Sequence, residues 1–412
     1  MTPRDRRQAG HWPCAEKATP PVARAPGPMP ALSPGSPSRR AWLQAALGAF
    51  GGLGLPSPAS STTCALAPPG PRASSQGAGP DANVCRGRAL EFPRDHGAHP
   101  DSRIEWWYAT GWLARDAQDL LGFQLTFFRS RTGLGAQLSG RLAPRQLLFA
   151  HAALTQVRPG LHRHAQRAAR WSGEPSAVGP WASSTDTELR LGAWHLRRTP
   201  ATGRYQARLP APEAGFTLEI ELQPTQPLLL QGEAGWSAKG PPLPSTGSGP
   251  AGTVHASHYY SLPQLKAEAR LSLGPRTETL SGQGWLDHEW SDALMPPAAV
   301  GWDWIGINLA DGGALTAFVL RDRAGQPVWA GGSLRRPDGP VVSFEPGQVR
   351  FTSLREWTSP VTGGRYPVHW RIETPAGRHE LVALLDAQEL DGRSSTGTLY
   401  WEGLAELRHE AG

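Results

Sequence analysis

Almost no segment of this chain keeps a helical hydrophobic period for three turns, which excludes a helical bundle as its main architecture. Cysteine is scarce: only Cys14, Cys64 and Cys85 occur in 412 residues. Of these, only Cys85 follows the leader segment identified below, so the mature chain is expected to rely on packing and not on a disulfide framework. There is no Gly-x-Ser-x-Gly, and without it the strand-to-helix turn that exposes a hydrolase serine has no place to form. A basic stripe is missing too. The formal charge is +6, but residues 1–67 hold seven Lys or Arg against Asp5 and Glu16, which is 7 − 2 = +5 of it. The rest of the chain is near neutral with scattered Arg, a distribution that argues against nucleic acid as a partner. The densest basic cluster, Leu161-His-Arg-His-Ala-Gln-Arg167, reads as a solvated loop.

Low-complexity segments divide what remains. Residues 1–37 are rich in Pro, Ala, Arg and Ser, after which Ser38-Arg39-Arg40-Ala41-Trp42-Leu43 opens a mild, Ala- and Gly-rich apolar run to Leu55. Paired arginines ahead of a weakly hydrophobic run are the pattern of a twin-arginine export signal, with Ala65-Leu66-Ala67 as a small-x-small cleavage site and Met29 as an alternative start. The run is too short and glycine-rich to span a bilayer, so no transmembrane span is expected in the mature protein. Residues 1–67 are therefore read as a leader and 68–89 as a linker, and the expected location is periplasmic or secreted.

Aromatic residues and acids concentrate in two places. Glu91-Phe-Pro-Arg-Asp-His-Gly-Ala-His-Pro-Asp-Ser-Arg-Ile-Glu-Trp-Trp-Tyr108 reads as a turn followed by a strand, and Gly284-Trp-Leu-Asp-His-Glu-Trp-Ser291 followed by Gly301-Trp-Asp-Trp304 repeats its ingredients in order. Each aromatic strand leads through a turn into a second apolar strand, the later one through Asp311-Gly312-Gly313, a strong hairpin signal. Short alternating runs elsewhere, with turns roughly every ten residues, indicate antiparallel barrels or sandwiches. The reading is all-β, in two units: residues 90–283 and 284–412.

Several ordered motifs resemble one family. Phe92-Pro-Arg-Asp-His96, Glu105-Trp-Trp-Tyr108, Gly284-Trp-Leu-Asp-His-Glu-Trp-Ser291, Trp357-Thr-Ser-Pro360 with Arg365-Tyr-Pro-Val368, and Tyr400-Trp-Glu-Gly403 look like the AttH/CrtC family, which includes carotenoid 1,2-hydratase. The likeness spans residues 90–412. It implies two tandem lipocalin-like antiparallel β-barrels and, in the hydratase branch, addition of water across a terminal isoprenoid double bond. That chemistry needs a protonated carboxyl kept neutral by burial and aromatic faces for a carbocation; it needs no cofactor. By resemblance the site is Asp287 as acid, His258 hydrogen-bonding or charging it, and Tyr260 and Trp285 lining the cation's path. Tyr260 and Trp285 exchange the aromatic types of the hydratase branch, and His288-Glu-Trp-Ser291 belongs to the AttH-like branch, which leaves the substrate open.

Structural roles compete with these assignments. Asp287 and Asp95 can equally cap turns, and Trp106, Trp107, Tyr108, Trp302 and Trp304 can build cores as well as bind ligand. A metal set from His96, His99 and Asp101 or Glu105 lacks further ligands at a convincing spacing, so no metal is expected. Three functions remain open: a hydro-lyase acting on an isoprenoid, a carrier of a hydrophobic small molecule beside an envelope transporter, and a lipid-ester hydrolase. The chain also ends soon after Gly403, which predicts that residues 399–407 form an unprotected edge strand of a second barrel lacking its last strand.

Overall fold

Alternating burial turns most of the apolar runs into strands. In Ile104–Asp116 (β1) every second residue from Glu105 to Ala109 is buried, as a pleated strand with one face on a core requires. The chain returns in Asp119–Arg131 (β2), and Gln146–Gln156 (β3) and Leu161–Trp171 (β4) extend the antiparallel meander. Smaller strands follow: Trp181–Ala182 (β5), Glu188–Leu191 (β6), Trp194–Arg198 (β7), Tyr205–Ala211 (β8), Phe216–Gln223 (β9), Leu229–Leu230 (β10) and Trp236–Ala238 (β11). Two long strands, Ala256–Leu273 (β12) and Arg276–Ser291 (β13), complete a sheet ordered β4-β3-β2-β1-β13-β12-β9-β8-β7-β6-β5, with β10 and β11 also paired to β12. Its outer strands approach each other, Trp171 meeting Trp181 edge to face at 5.9 Å. The sheet is thus a nearly closed barrel around Trp107, Phe123, Trp194, Tyr205 and Leu286.

The second half begins at Gly301–Asn308 (β14), which pairs with Ala314–Arg321 (β15) across the expected Asp311-Gly-Gly hairpin. Pro327–Arg335 (β16) and Val341–Phe344 (β17) finish that sheet; a second sheet starts with Arg350–Thr358 (β18), Arg365–Thr374 (β19) and Gly377–Ala383 (β20). A small hairpin, Glu389–Gly392 (β21) with Thr398–Trp401 (β22), precedes Ala405–His409 (β23), which joins the second sheet beside β20. Ile305, Leu315 and Val319 of the one sheet share a core with Ile372 and Leu381 of the other. The all-β reading holds, but the second unit is two facing four-stranded sheets and not one closed barrel, because the chain crosses between sheets at residues 345–349.

The computed structural model describes residues 84–116, 118–133, 144–176, 178–242, 255–293 and 295–409; the leader and its paired arginines lie outside them. Among the described residues no helix is long and apolar enough to cross a membrane. Cys85 is disulfide-bonded, and the other two cysteines lie outside the described residues, so the expectation of no disulfide concerns only a chain cleaved after Ala67. The end of the expected linker is already packed, with Val84 buried beside Trp236 and Arg86 on Glu233 at 2.7 Å.

Three readings of the sequence need correction. β13 runs unbroken through position 284 and hydrogen-bonds β1 and β12, so a boundary at 283/284 would cut a central strand; the sheets change between Ser291 and Gly301. The basic segment 161–167 belongs to β4 and not to a loop, because it pairs in register with β3 and His162, His164 and Gln166 alternate onto the face shared by Thr155, Ala153 and His151. Residues 399–407 are not one strand but the end of β22, a three-residue link and the start of β23, in two different sheets.

The halves are locked together at a bulge in β12. Gln264 takes the left-handed conformation at φ 55°, a strain of about 1–2 kcal/mol for a residue with a side chain. Its backbone N–H donates to Asn308 Oδ1 at 2.7 Å and its amide to the Leu309 and Gly313 carbonyls at 3.0 and 2.7 Å. Three bonds at about 1 kcal/mol each offset the strain and fix the β14–β15 hairpin against the barrel.

Candidate active site

The register of the central strands decides which side chains meet. Asp287 stands opposite Tyr108 of β1 and Ser261 of β12, whereas His288 stands opposite Trp107 and Tyr260, and Trp290 opposite His258. Successive residues of a strand point to opposite faces. Trp285, Asp287, Tyr108, Tyr259 and Ser261 therefore share the face toward the second half, while His258, Tyr260, His288, Trp290, Trp107 and Glu105 share the barrel interior.

The first face holds two buried acids. Asp287 is 4 % exposed, and its Oδ1 accepts from Ser261 Oγ at 2.6 Å and Trp285 Nε1 at 2.8 Å. Burial nevertheless pushes its pKa up to about 7, against those donors. Glu402, from the link between β22 and β23, reaches the same place: burial raises it to about 7, a Tyr108 hydrogen bond opposes the rise, and the charge of Asp287 adds to it. Glu402 as a residue is partly accessible, yet its Oε1 is buried and finds no partner among the described residues. Tyr108 and Tyr259 are both raised well above the usual phenol value, by burial first and then by carboxylate charge, Glu402 and Asp287 for Tyr108 and Asp287 and Glu289 for Tyr259.

Aromatic rings wall the acids. Trp304 lies edge to face with Tyr108 at 5.6 Å and with Trp285 at 6.4 Å, and its Nε1 donates to Tyr259 Oη at 3.2 Å. Gly306 leaves room for this arrangement, since a Cβ there would come within 2.6 Å of Trp304 and 2.8 Å of Trp285. Trp302, two residues from Trp304 on β14, is 51 % exposed. The link that carries Glu402 is held by the buried Gln388, whose backbone carbonyl accepts from Glu402 N–H at 3.1 Å and whose Oε1 accepts from Leu404 N–H at 2.9 Å. A Cβ on Gly403 would collide with the Gln388 side chain, which explains the glycine of Tyr400-Trp-Glu-Gly403. Tyr400 itself bonds His151 Nδ1 at 2.5 Å, tying the β21–β22 hairpin to β3.

The opposite face is a hydrogen-bonded network. Glu105 accepts from Arg129 Nε at 2.7 Å, with both side chains fully buried, and its Oε1 meets His99 Nδ1 at 2.7 Å and His288 Nε2 at 3.0 Å. His99 Nε2 meets Asp95 Oδ1 at 3.0 Å. Tyr260 Oη lies 2.7 Å from His96 Nδ1 and 3.2 Å from His288 Nδ1. Burial alone would raise Glu105, but Arg129 and the two histidines hold it well below the ordinary value.

The expected site is thus split. Asp287 and Trp285 come together as anticipated, joined by Tyr108 and Trp304, but His258 and Tyr260 lie behind the sheet, and the His258 ring meets the Gly235 carbonyl at 3.4 Å. Same-strand spacing was right for each pair; the one-residue offset between Tyr260↔His288 and Ser261↔Asp287 puts the pairs on opposite faces. Trp107 also belongs to the interior, stacked on His288 at 4.5 Å, whereas Trp106 shares the Tyr108 face and is partly buried. The two Asp-His copies are not equivalent either: Asp95 sits in a 3-10 turn and accepts from Glu91 N–H at 2.8 Å, while Asp287 is mid-strand. Glu402, Tyr259 and Ser261 had no assigned role. Glu402 alone left a trace, an acid directly after two aromatics inside a motif already singled out.

Comparison with known proteins agrees with this architecture. The family model described as AttH-like matches residues 83–412, so the chain belongs to the AttH-like family. The crystal structure of a protein from Nitrosomonas europaea assigned as AttH superposes with a TM-score of 0.69 at 41% identity, over 79% of this chain and 94% of that one. Kievitone hydratase from Nectria haematococca has the same fold at 14% identity, with a TM-score of 0.53 over 77% of this chain and 86% of its own. No match was found among curated proteins.

Proposed function

We propose that this AttH-like protein adds water to a carbon–carbon double bond of a hydrophobic small molecule, an isoprenoid or lipid, with Glu402 and Asp287 as its acid–base pair. The observation that carries the reading is two buried carboxyls, both shifted to about 7, on one aromatic-walled face. Two short donors on one oxygen of Asp287 favour its charged form, and that charge favours the protonated form of Glu402, whose Oε1 has no partner among the described residues. This exchanges the role expected for Asp287.

In the forward step Glu402 transfers its proton to one alkene carbon and leaves a tertiary carbocation on the other. The faces of Trp304, Trp285 and Tyr108 stabilise that cation. A water adds to it while Asp287 takes the water's proton. Returning that proton to Glu402 restores the pair, so the net change is addition of one H2O. Kievitone hydratase is named for a hydration, which makes its shared fold consistent with this chemistry.

The test is mass spectrometry of acyclic terpenoids, geraniol among them, incubated with the protein in 18O-labelled water. Enzyme-dependent incorporation of one labelled oxygen is expected. Bound terpenoid recovered without label would instead establish a carrier. We further propose export by the twin-arginine route, resting on Arg39-Arg40 ahead of the Ala/Gly-rich run. Replacing both arginines by lysine is expected to strand the precursor in the cytoplasm, and normal export of that variant would refute the route.

A further inference from the structure

We propose that His99, Glu105 and His288, in the barrel interior behind Asp287, bind a divalent transition-metal ion of the zinc class. His99 comes from the turn after the first Asp-His motif, Glu105 from β1 and His288 from β13. One ligand atom from each lies within 4.8 Å of the other two, and all three residues are buried. Two imidazoles and a carboxylate are a donor set that zinc and its neighbours favour.

The surroundings follow the pattern of a built site. A metal-binding histidine typically gives its other ring nitrogen to a carboxylate or hydroxyl that fixes its orientation. Here His99 turns Nε2 to Asp95 Oδ1 at 3.0 Å, and His288 turns Nδ1 to Tyr260 Oη at 3.2 Å. Glu105 gives Oε2 to Arg129 at 2.7 Å and keeps Oε1 facing both histidines. Donor accounting points the same way. Both ring nitrogens of His99 face carboxylate oxygens, an arrangement that a neutral imidazole, with one N–H, cannot satisfy at both ends; an ion between Nδ1 and Glu105 would resolve it.

Two further features fit a metal with a water ligand. A cleft of about 280 Å³ borders His99, Pro100 and Trp290 and offers a way in. Trp290 stacks on His99 at 3.7 Å, and its buried indole N–H finds no acceptor among the described residues, a role a metal-bound water can fill. The ion would pin the segment carrying Asp95 and His99 to two central strands. Its function would be structural, and the proposal stands or falls independently of turnover at Asp287.

The experiment uses the intact protein, stripped with a chelator and titrated with Co2+ as probe. One equivalent is expected to bind with visible d–d absorption, to be displaced by Zn2+, and to raise the melting temperature. His288→Ala should abolish the absorption while retaining the β-sheet circular dichroism; should that variant not fold, His99→Gln serves the same purpose. Stripped wild-type protein that takes up no Co2+, or a folded His288→Ala protein that binds it unchanged, overturns the site.

Discussion

Glu402→Gln is expected to lower hydration at least 100-fold without altering the fold. Glutamine keeps the shape of the side chain and an acceptor for the Tyr108 hydroxyl, but it cannot release a proton, and general-acid catalysis typically contributes about 10²–10⁴ in rate. Removing the ionisable group also removes the cost of burying its charge, so the variant should melt no lower than wild type at pH 8. Asp287→Asn should cause a loss of similar size by a different route, because water addition then lacks its base while Ser261 and Trp285 keep an acceptor on Oδ1. The two losses should not multiply, since acid and base serve one reaction. Rates measured across pH for both variants, with circular dichroism as the control for folding, decide the matter. Full activity in Glu402→Gln would remove it from the acid role, and unfolding of both variants would show that the carboxyls serve structure.

The parts of this site that were legible in the sequence are those governed by local rules. Two-residue spacing along a strand put Trp285 beside Asp287, and the Asp311-Gly-Gly turn announced the β14–β15 hairpin. What escaped depends on pairing between strands distant in sequence. Whether Tyr260 or Ser261 stands beside Asp287 is a one-residue matter of register, and both neighbours are apolar or hydroxylated enough to sit on either face. The arrival of Glu402 depends on a hairpin docking on β3 through Tyr400 and His151, a contact no local pattern encodes. The segment 161–167 misled for the opposite reason: its charges suggested solvent, but only alternate residues face it, and His162 and His164 turn toward the β21 side.

Acid should unfold this protein near pH 5. Burial holds His96 at about 3 and His151, His162, His258 and His288 at about 4, against about 6.5 in an unfolded chain. Their stabilising contribution is present above pH 6.5 and is lost as pH falls toward 4, because unfolding then takes up five protons. Asp287 and Glu402 act in the opposite sense. Their folded values of about 7 exceed the unfolded carboxyl values of about 4, so their contribution is present below pH 4 and lost as pH rises through 7; in the same window unfolding releases two protons. The balance, 5 − 2, is a net uptake of three, a slope of about 4 kcal/mol per pH unit. Across two units that is about 8 kcal/mol, comparable with the whole stability of a typical domain. Denaturant titrations between pH 7.5 and 4.5 should show this slope, and the double variant Asp287→Asn, Glu402→Gln should steepen it to about 7 kcal/mol per unit, since all five histidine protons then go unopposed. A flat profile in wild type would mean that these histidines are not held neutral by burial. A double variant with an unchanged slope would mean that the two carboxyls are already ionised at pH 5, and with that the protonated acid of the proposed mechanism is lost.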